Sequence, residues 1–239
     1  VDTIAALLFD KDGTLFDFRA TWGAWTGRFV RTLGGPSGRV QELAEAIRFD
    51  LEQDAHLPGS PFIAGSIEDW VDTVLDVLPE LEREALMDRI REETAEVPQV
   101  PVTPLADLLG GLRGLGYRLG VATNDGEGPA RAHLDRNGIA SQFDFIAGYD
   151  SGHGAKPAPH MLLAFAKHCG LRPAQVLMIG DSTHDLHAAA AAGMPALAVL
   201  TGYASNDDLA PHAEAVLPSI ADLPDWLQRR NATAMSQTV

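Results

Sequence analysis

With 239 residues, 46 % of them apolar and 21 % charged, the chain can build one large core or a core with an insert. Its 33 acids against 18 Lys and Arg leave a formal charge of −15, which repels a phosphate backbone and sets nucleic acid aside as a partner; a small anionic substrate would need a metal or a few placed cations. No apolar run reaches the ~20 residues of a membrane span, no basic-then-apolar targeting pattern opens the chain, and the single cysteine, Cys169, excludes an internal disulfide, so a cytoplasmic protein without a membrane partner is expected.

The first element carries the most information. Residues 5–9 (Ala-Ala-Leu-Leu-Phe) form an unbroken apolar run, which predicts a strand buried on both faces, as in a parallel sheet. It runs into Asp10-Lys11-Asp12-Gly13-Thr14, so two acids at i and i+2 sit where the backbone leaves the sheet. In open α/β folds that edge is where ligands bind. Buried acids without partners are costly, and the simplest missing partner is a divalent cation with oxygen ligands.

Residues 16–97 read as wholly helical. Val40, Leu43, Ala44, Ile47 and Leu51 share one helix face. Ser66-Ile67-Glu68-Asp69 resembles a capping box and opens a helix with Trp70, Val71, Val74, Leu75 and Leu78 inward, stopped by Pro79. Leu81, Ala85, Leu86 and Ile90 mark a further helix, on which Arg89 and Glu93 can pair at i, i+4. Trp22 and Trp25 are expected to pack inside this region. Residues 98–102 form a Pro-rich linker. Thr103 followed by Pro104 starts a helix with Leu105, Leu108, Leu109 and Leu112 buried and Gly116 at its end.

From there strands (117–122, 143–147, 176–179, 196–200, 215–217) alternate with helices (128–137, 159–169, 186–192) closed by Gly138, Gly170 and Gly193. The alternation implies a doubly wound parallel sheet covered on both sides. The first strand belongs with it, so residues 1–15 and 103–230 form one α/β core, interrupted by a helical insert over 16–97 that would sit over the strand ends as a lid. Residues 231–239 are a polar tail expected to be disordered, and Cys169 is expected to be a buried small residue.

Four polar clusters fall on one edge of such a sheet: the Asp10 to Thr14 turn, Thr123-Asn124-Asp125, Lys156-Pro157, and Gly180-Asp181-Ser182-Thr183-His184-Asp185. Acids, a hydroxyl, an amide and an ammonium gathered there suit phosphoryl transfer, with a carboxylate nucleophile, a metal to neutralise oxygen charge and donors around the phosphoryl oxygens.

These clusters match, in order and spacing, the four motifs of the haloacid dehalogenase superfamily. The chain resembles its phosphatase branch with a helical cap inserted after the first motif, of the phosphoglycolate phosphatase type, whose core is a Rossmann-like α/β domain. The resemblance implies Asp10 as nucleophile through an aspartyl-phosphate and Asp12 as acid, then base. It implies Thr123 and Lys156 as holders of the phosphoryl oxygens, with the backbone N–H groups of Asp12, Gly13 and Asn124. Mg²⁺ would be held by Asp10, the Asp12 carbonyl oxygen and Asp181, with Asp185 acting through a water or from behind these ligands. The substrate implied is a small phosphorylated metabolite, phosphoglycolate among the options, and the protein either a monomer or a homodimer. A sugar-phosphate phosphomutase shares every motif, and a phospho-aspartate signalling module shares the acids, Thr and Lys. Asp12 speaks against the dehalogenase branch, and the absence of any Lys from residues 16–97 against Schiff-base phosphonate cleavage.

Two positions depart from the family pattern. Lys11 replaces an aromatic or apolar residue and would either point outward or add charge at the mouth. Phe16-Asp17-Phe18 replaces the usual Asp-Ser. His184 and His153 are expected to be local hydrogen-bonders, with His184 also a candidate to touch substrate. Arg19, Arg28 and Arg48 are candidates for a second anionic group of the substrate.

Overall fold

The computed structural model describes residues 3–57, 59–64 and 67–236. In chain order the elements are β1 (Ala6–Phe9), α1 (Phe18–Gly34), α2 (Val40–Ala46), β2 (Phe49–Asp50), β3 (Ala55–His56), α3 (Pro61–Ala64), α4 (Ile67–Val77) and α5 (Arg83–Glu96). There follow α6 (Leu105–Gly114), β4 (Arg118–Ala122), α7 (Glu127–Arg136), β5 (Phe145–Ala147), α8 (His160–Cys169), β6 (Val176–Gly180), α9 (Thr183–Ala192), β7 (Ala196–Val199), α10 (Asn206–Leu209), β8 (Ala215–Leu217) and α11 (Leu223–Ser236). The chain divides at residues 17/18 and 100/101 into two compact units.

The larger unit is a six-stranded sheet in the order β5-β4-β1-β6-β7-β8, parallel at every pairing. The chain winds outward from β1 through β4 to β5, then returns to β6 and winds the other way. The switch point, where ligands collect in such sheets, is therefore at β1. Alternate residues serve opposite faces. Leu7, Phe9, Val121 and Ile179 pack with Leu109 of α6, Leu134 of α7 and Leu223 of α11. Ala6, Leu8, Met178 and Ala198 pack with Phe165 of α8 and Leu186 of α9. β1 is buried along its whole length because helices cover both faces, which is why its sequence is continuously apolar rather than alternating. The register pairs Phe9 with Val121 on one side and Ile179 on the other, so the chain leaves the sheet at the same level on all three central strands.

The smaller unit packs around aromatic side chains. Trp25 and Phe29 of α1 lie 4.9 Å apart by ring centroid, and Phe62 and Trp70 close on them at 5.1–5.8 Å. Trp22 and Trp25 are both buried in this unit. The reading of residues 16–97 as wholly helical is corrected here. The apolar periodicity from Val40 to Leu51 ends as helix at Ala46, and β2 and β3 pair antiparallel. Arg48 takes a positive φ of 55°, and Asp50 Oδ1 accepts from the N–H groups of Glu52 and Gln53. That side-chain turn competes with helix, and Leu51 falls in it, half-buried.

Other differences are local. Ala85 is exposed and Leu75 half-buried. Pro104, not Thr103, occupies the cap position of α6, without a side-chain cap bond. The capping residue expected for α4, Ser66, lies outside the described residues. Helix α11 continues through Ser236, so residues 231–236 are helical where a disordered tail was expected. Cys169 is half-buried rather than buried. The αL caps at Gly170 and Gly193 are formed.

Candidate active site

Asp10 follows β1, and its backbone N–H donates to Ile179 O (2.9 Å) across the sheet. The chain then turns tightly: Lys11 O accepts from the N–H groups of Leu15 (2.9 Å) and Phe16 (3.1 Å). Gly13 adopts a φ of 82°, which favours glycine. A Cβ there would lie 2.3 Å from Asp181 Oδ2, so the turn backbone packs directly on a carboxylate from β6.

Lys156 enters from the loop before α8. Asn124 secures its backbone: Oδ1 accepts from Lys156 N (2.8 Å) and Nδ2 donates to Lys156 O (3.0 Å). Lys156 Nζ, buried, donates to Asp10 Oδ1 (2.7 Å), Asp185 Oδ1 (2.6 Å) and Ala122 O (2.8 Å), which uses all three of its protons. Asp185 is anchored in turn by Ser182, whose N–H and hydroxyl donate to Oδ2 (3.1 and 2.6 Å) as α9 begins. Thr123 is buried after β4, and its Oγ1 accepts from Asp125 N (3.1 Å).

Asp10, Asp181 and Asp185 each present a carboxylate oxygen within 4.8 Å of the others, all three buried. Burial, reinforced by Asp185 and Asp12 and opposed by Lys156, pushes the Asp10 carboxyl up to about 7. Burial first, then Asp10 and Asp185, raises Asp181 well above the carboxylate range. Lys156 is pulled down by burial, but Asp10 and Asp185 outweigh that and hold it above the ordinary lysine value. Three buried carboxylates against one ammonium are short of positive charge. An all-oxygen donor set with that deficit fits a hard divalent cation such as Mg²⁺.

Sequence reasoning missed several residues that shape this site. Thr14, already in the first polar cluster, donates from Oγ1 to Asp181 Oδ1 (3.3 Å); the missed residues follow β7. Thr201, after β7, donates from Oγ1 to Gly13 O (2.6 Å). A Cβ on Gly202 would meet Asp181 Oδ2 at 1.7 Å. The available signal was a Thr-Gly pair following a fully apolar strand. Of the two readings of Lys11 the outward one is corrected, since the side chain is fully buried; its charge lies beside Asp12, 2.7 Å from Oδ2. His153 packs on the Phe145 ring and lies near Glu127 rather than among the carboxylates. His184 is half-buried in the first turn of α9. Arg19, Arg28 and Arg48 are exposed residues of the smaller unit.

The fold is thus a parallel α/β sheet with buried acids and a paired lysine at its switch point. The model of the haloacid dehalogenase-like hydrolase family matches residues 4–193, and the chain belongs to that family. It is 42 % identical over 120 residues to the phosphoglycolate phosphatase of Rhodospirillum rubrum, which covers 50 % of each chain; the chain thus spans about half the length of the curated relatives it matches. In fold it is similar to a predicted phosphoglycolate phosphatase from Haemophilus somnus (TM-score 0.71, 19 % identity, 94 % of this chain and 98 % of that one). It is also similar to a beta-phosphoglucomutase from Clostridium difficile (TM-score 0.65, 20 % identity, 98 % and 100 %). No helix among the described residues is long and apolar enough to cross a membrane.

Proposed function

We propose that this chain is a Mg²⁺-dependent phosphatase of a small phosphorylated metabolite that works through an aspartyl-phosphate on Asp10, with phosphoglycolate the first substrate to test. The observation that carries this reading is the ammonium of Lys156 held 2.7 Å from Asp10, beside two further buried carboxylates. A carboxylate so placed is paired yet reactive, and the ammonium draws a phosphoryl oxygen toward it as a point charge.

In this mechanism Asp10 attacks phosphorus as the bond to the leaving oxygen breaks. Asp12 gives that oxygen a proton. Asp12 then takes a proton from the water whose oxygen bonds to phosphorus, and Asp10 leaves as a carboxylate. The Thr123 hydroxyl and the backbone N–H groups of Asp12 and Asn124 hold the phosphoryl oxygens, with Lys156 acting on them as a point charge; the expected part of Gly13 is corrected, because its N–H donates to Phe16 O (2.8 Å). Asp10, Asp181 and the Asp12 carbonyl oxygen would hold Mg²⁺, with Asp185 behind them anchoring Lys156. Bound there, the ion neutralises charge on the phosphoryl oxygens.

The test is phosphate release from p-nitrophenyl phosphate, phosphoglycolate and glucose 1-phosphate, with Mg²⁺ and with EDTA. The expected result is Mg²⁺-dependent release that Asp10→Asn abolishes. Full turnover by Asp10→Asn would refute the reading. Glucose 6-phosphate formed from glucose 1-phosphate would make the chain a phosphomutase, and a phosphoryl-enzyme lasting many minutes would make it a signalling module.

A further inference from the structure

Lys11 takes no part in the mechanism above, yet it is one of the largest fully buried side chains in the protein. Its Nζ lies 2.7 Å from Asp12 Oδ2, 3.1 Å from Asp125 Oδ2 and 3.0 Å from His133 Nδ1. An ammonium has no lone pair, so Nδ1 accepts, and a neutral His133 carries its proton on Nε2. His133 is itself fully buried on α7. Asp12 and Asp125, by contrast, keep 17 % and 25 % of their side chains exposed. The ammonium thus rises from beneath two carboxylates that reach toward solvent, and a buried ring fixes it from behind.

We infer that Lys11 is a positioning residue for Asp12, holding its carboxyl group through Oδ2 in the orientation that delivers a proton to the leaving oxygen, with His133 and Asp125 locking the ammonium in place. The inference rests on the aspartyl-phosphate reading. Burying an ammonium is expensive, and an apolar side chain of similar length would fill the same space. What the ammonium adds is a charge-assisted bond, short and directional, to the one acid that must move a proton. In the step concerned, Asp10 forms its bond to phosphorus, the P–O bond to the leaving group breaks, and that bond's electron pair stays on the leaving oxygen. The leaving oxygen then takes the Asp12 proton. A misplaced Asp12 slows phosphoryl transfer to Asp10 only where the leaving oxygen needs that proton; the later hydrolysis, in which Asp12 takes a proton from water, is common to all substrates.

The leaving group supplies the test. p-Nitrophenolate departs without a proton, whereas the alkoxide of β-glycerophosphate needs one. With the full chain and Mg²⁺, Lys11→Met is expected to lower kcat/KM on β-glycerophosphate about 10–100-fold and on p-nitrophenyl phosphate less than about 3-fold, since kcat/KM leaves out the later hydrolysis that both substrates share. Equal losses on the two substrates, or no loss on either, overturn the inference. If Lys11→Met does not fold, His133 decides. His133→Leu should show the same selective loss, and His133→Gln, whose amide oxygen can accept from the ammonium, should restore activity; two His133 variants that behave alike overturn the inference. An active Asp10→Asn would defeat the aspartyl-phosphate reading, whereas an inactive Asp10→Asn beside an unselective Lys11→Met defeats this inference alone.

Discussion

Replacing Gly202 by Ala asks whether Asp181 is held in place by the lack of a neighbouring side chain. The added Cβ would lie 1.7 Å from Asp181 Oδ2, 2.4 Å from its Cγ and 2.7 Å from its Cβ, where ordinary contact begins at 3.4 Å. The carboxylate must therefore retreat by 3.4 − 1.7, or about 1.7 Å. Retreat is blocked by the Gly13 backbone, where even a methyl would stand 2.3 Å from the same oxygen, and by Thr14, bonded to Oδ1. Gly202 is not among the positive-φ glycines, so alanine meets a contact problem and not a backbone one. Overpacking of this kind costs about 1–3 kcal/mol, or roughly 2–4 °C in Tm per kcal/mol for a chain of this size. Disturbing the support of a metal ligand typically costs about 10–100-fold in affinity. The assay is a Mg²⁺ titration of p-nitrophenyl phosphate turnover, paired with a thermal melt in EDTA. The expected result is a half-saturating Mg²⁺ concentration raised by that factor together with a lower Tm. A lower Tm with unchanged Mg²⁺ dependence would mean that the close approach is packing alone, and would refute the reasoning.

Lys156→Met removes the only ammonium touching Asp10 and Asp185 among the described residues; breaking such a buried set costs about 3–5 kcal/mol, read by urea melts in EDTA, and turnover should fall by at least about 100-fold. An active Lys156→Met variant would remove Lys156 from the chemistry. In the smaller unit, His56 is buried between the Thr26 hydroxyl (3.0 Å) and the Ser60 hydroxyl (3.1 Å), and burial holds it down at about 3, against an ordinary 6.5. The folded value lies below the unfolded one, so the unfolded chain binds the proton first: the stability is fully present above about pH 6.5 and lost as pH falls toward 3. At pH 5 the loss is about 2 kcal/mol, while the raised carboxyls of Asp10 and Asp181 stabilise the fold over the same fall in pH; between pH 7.5 and pH 5 the tryptophan-monitored urea midpoint should therefore shift toward lower stability in the parent relative to His56→Gln, and equal shifts in the two would disprove the burial argument.

The core was legible because its signals are local. The apolar run of β1, the Gly closures of α8 and α9 and the strand-end acids each lie within a few residues of what they determine. The misreadings arose where meaning is set at a distance. The side chain of Lys11 is placed by His133, 122 positions away, and nothing beside it in sequence says so. Gly202 is a spacer only because Asp181 faces it. The β2–β3 hairpin was hidden because two-residue strands are too short to show a period, while Val40, Leu43, Ala44 and Ile47 continue by chance to Leu51 at helical spacing.

Asp10 and Asp12 stand two residues apart on one turn, and like charges that close should pull their chemistry together. The structure separates them by giving each its own ammonium: Lys156 for Asp10 and Lys11 for Asp12. The two sets then diverge by solvation. Asp12 and Asp125 share Lys11 but keep 17 % and 25 % of their side chains exposed, so water screens the surplus negative charge. Asp10, Asp181 and Asp185 gather at Lys156, three carboxylates to one ammonium, and water reaches less of them, 12 % of the Asp10 side chain and none of Asp185. Their surplus is relieved either by binding a proton, which is why Asp10 is pushed up to about 7, or by admitting a cation. An acid whose charge demands a cation suits a nucleophile that must stay deprotonated beside a metal. An acid whose charge is met by a fixed lysine and by water suits a group that exchanges protons. On this argument, the different tasks proposed for the two aspartates follow from how many acids crowd each ammonium, three at Lys156 and two at Lys11, together with the deeper burial of the first set.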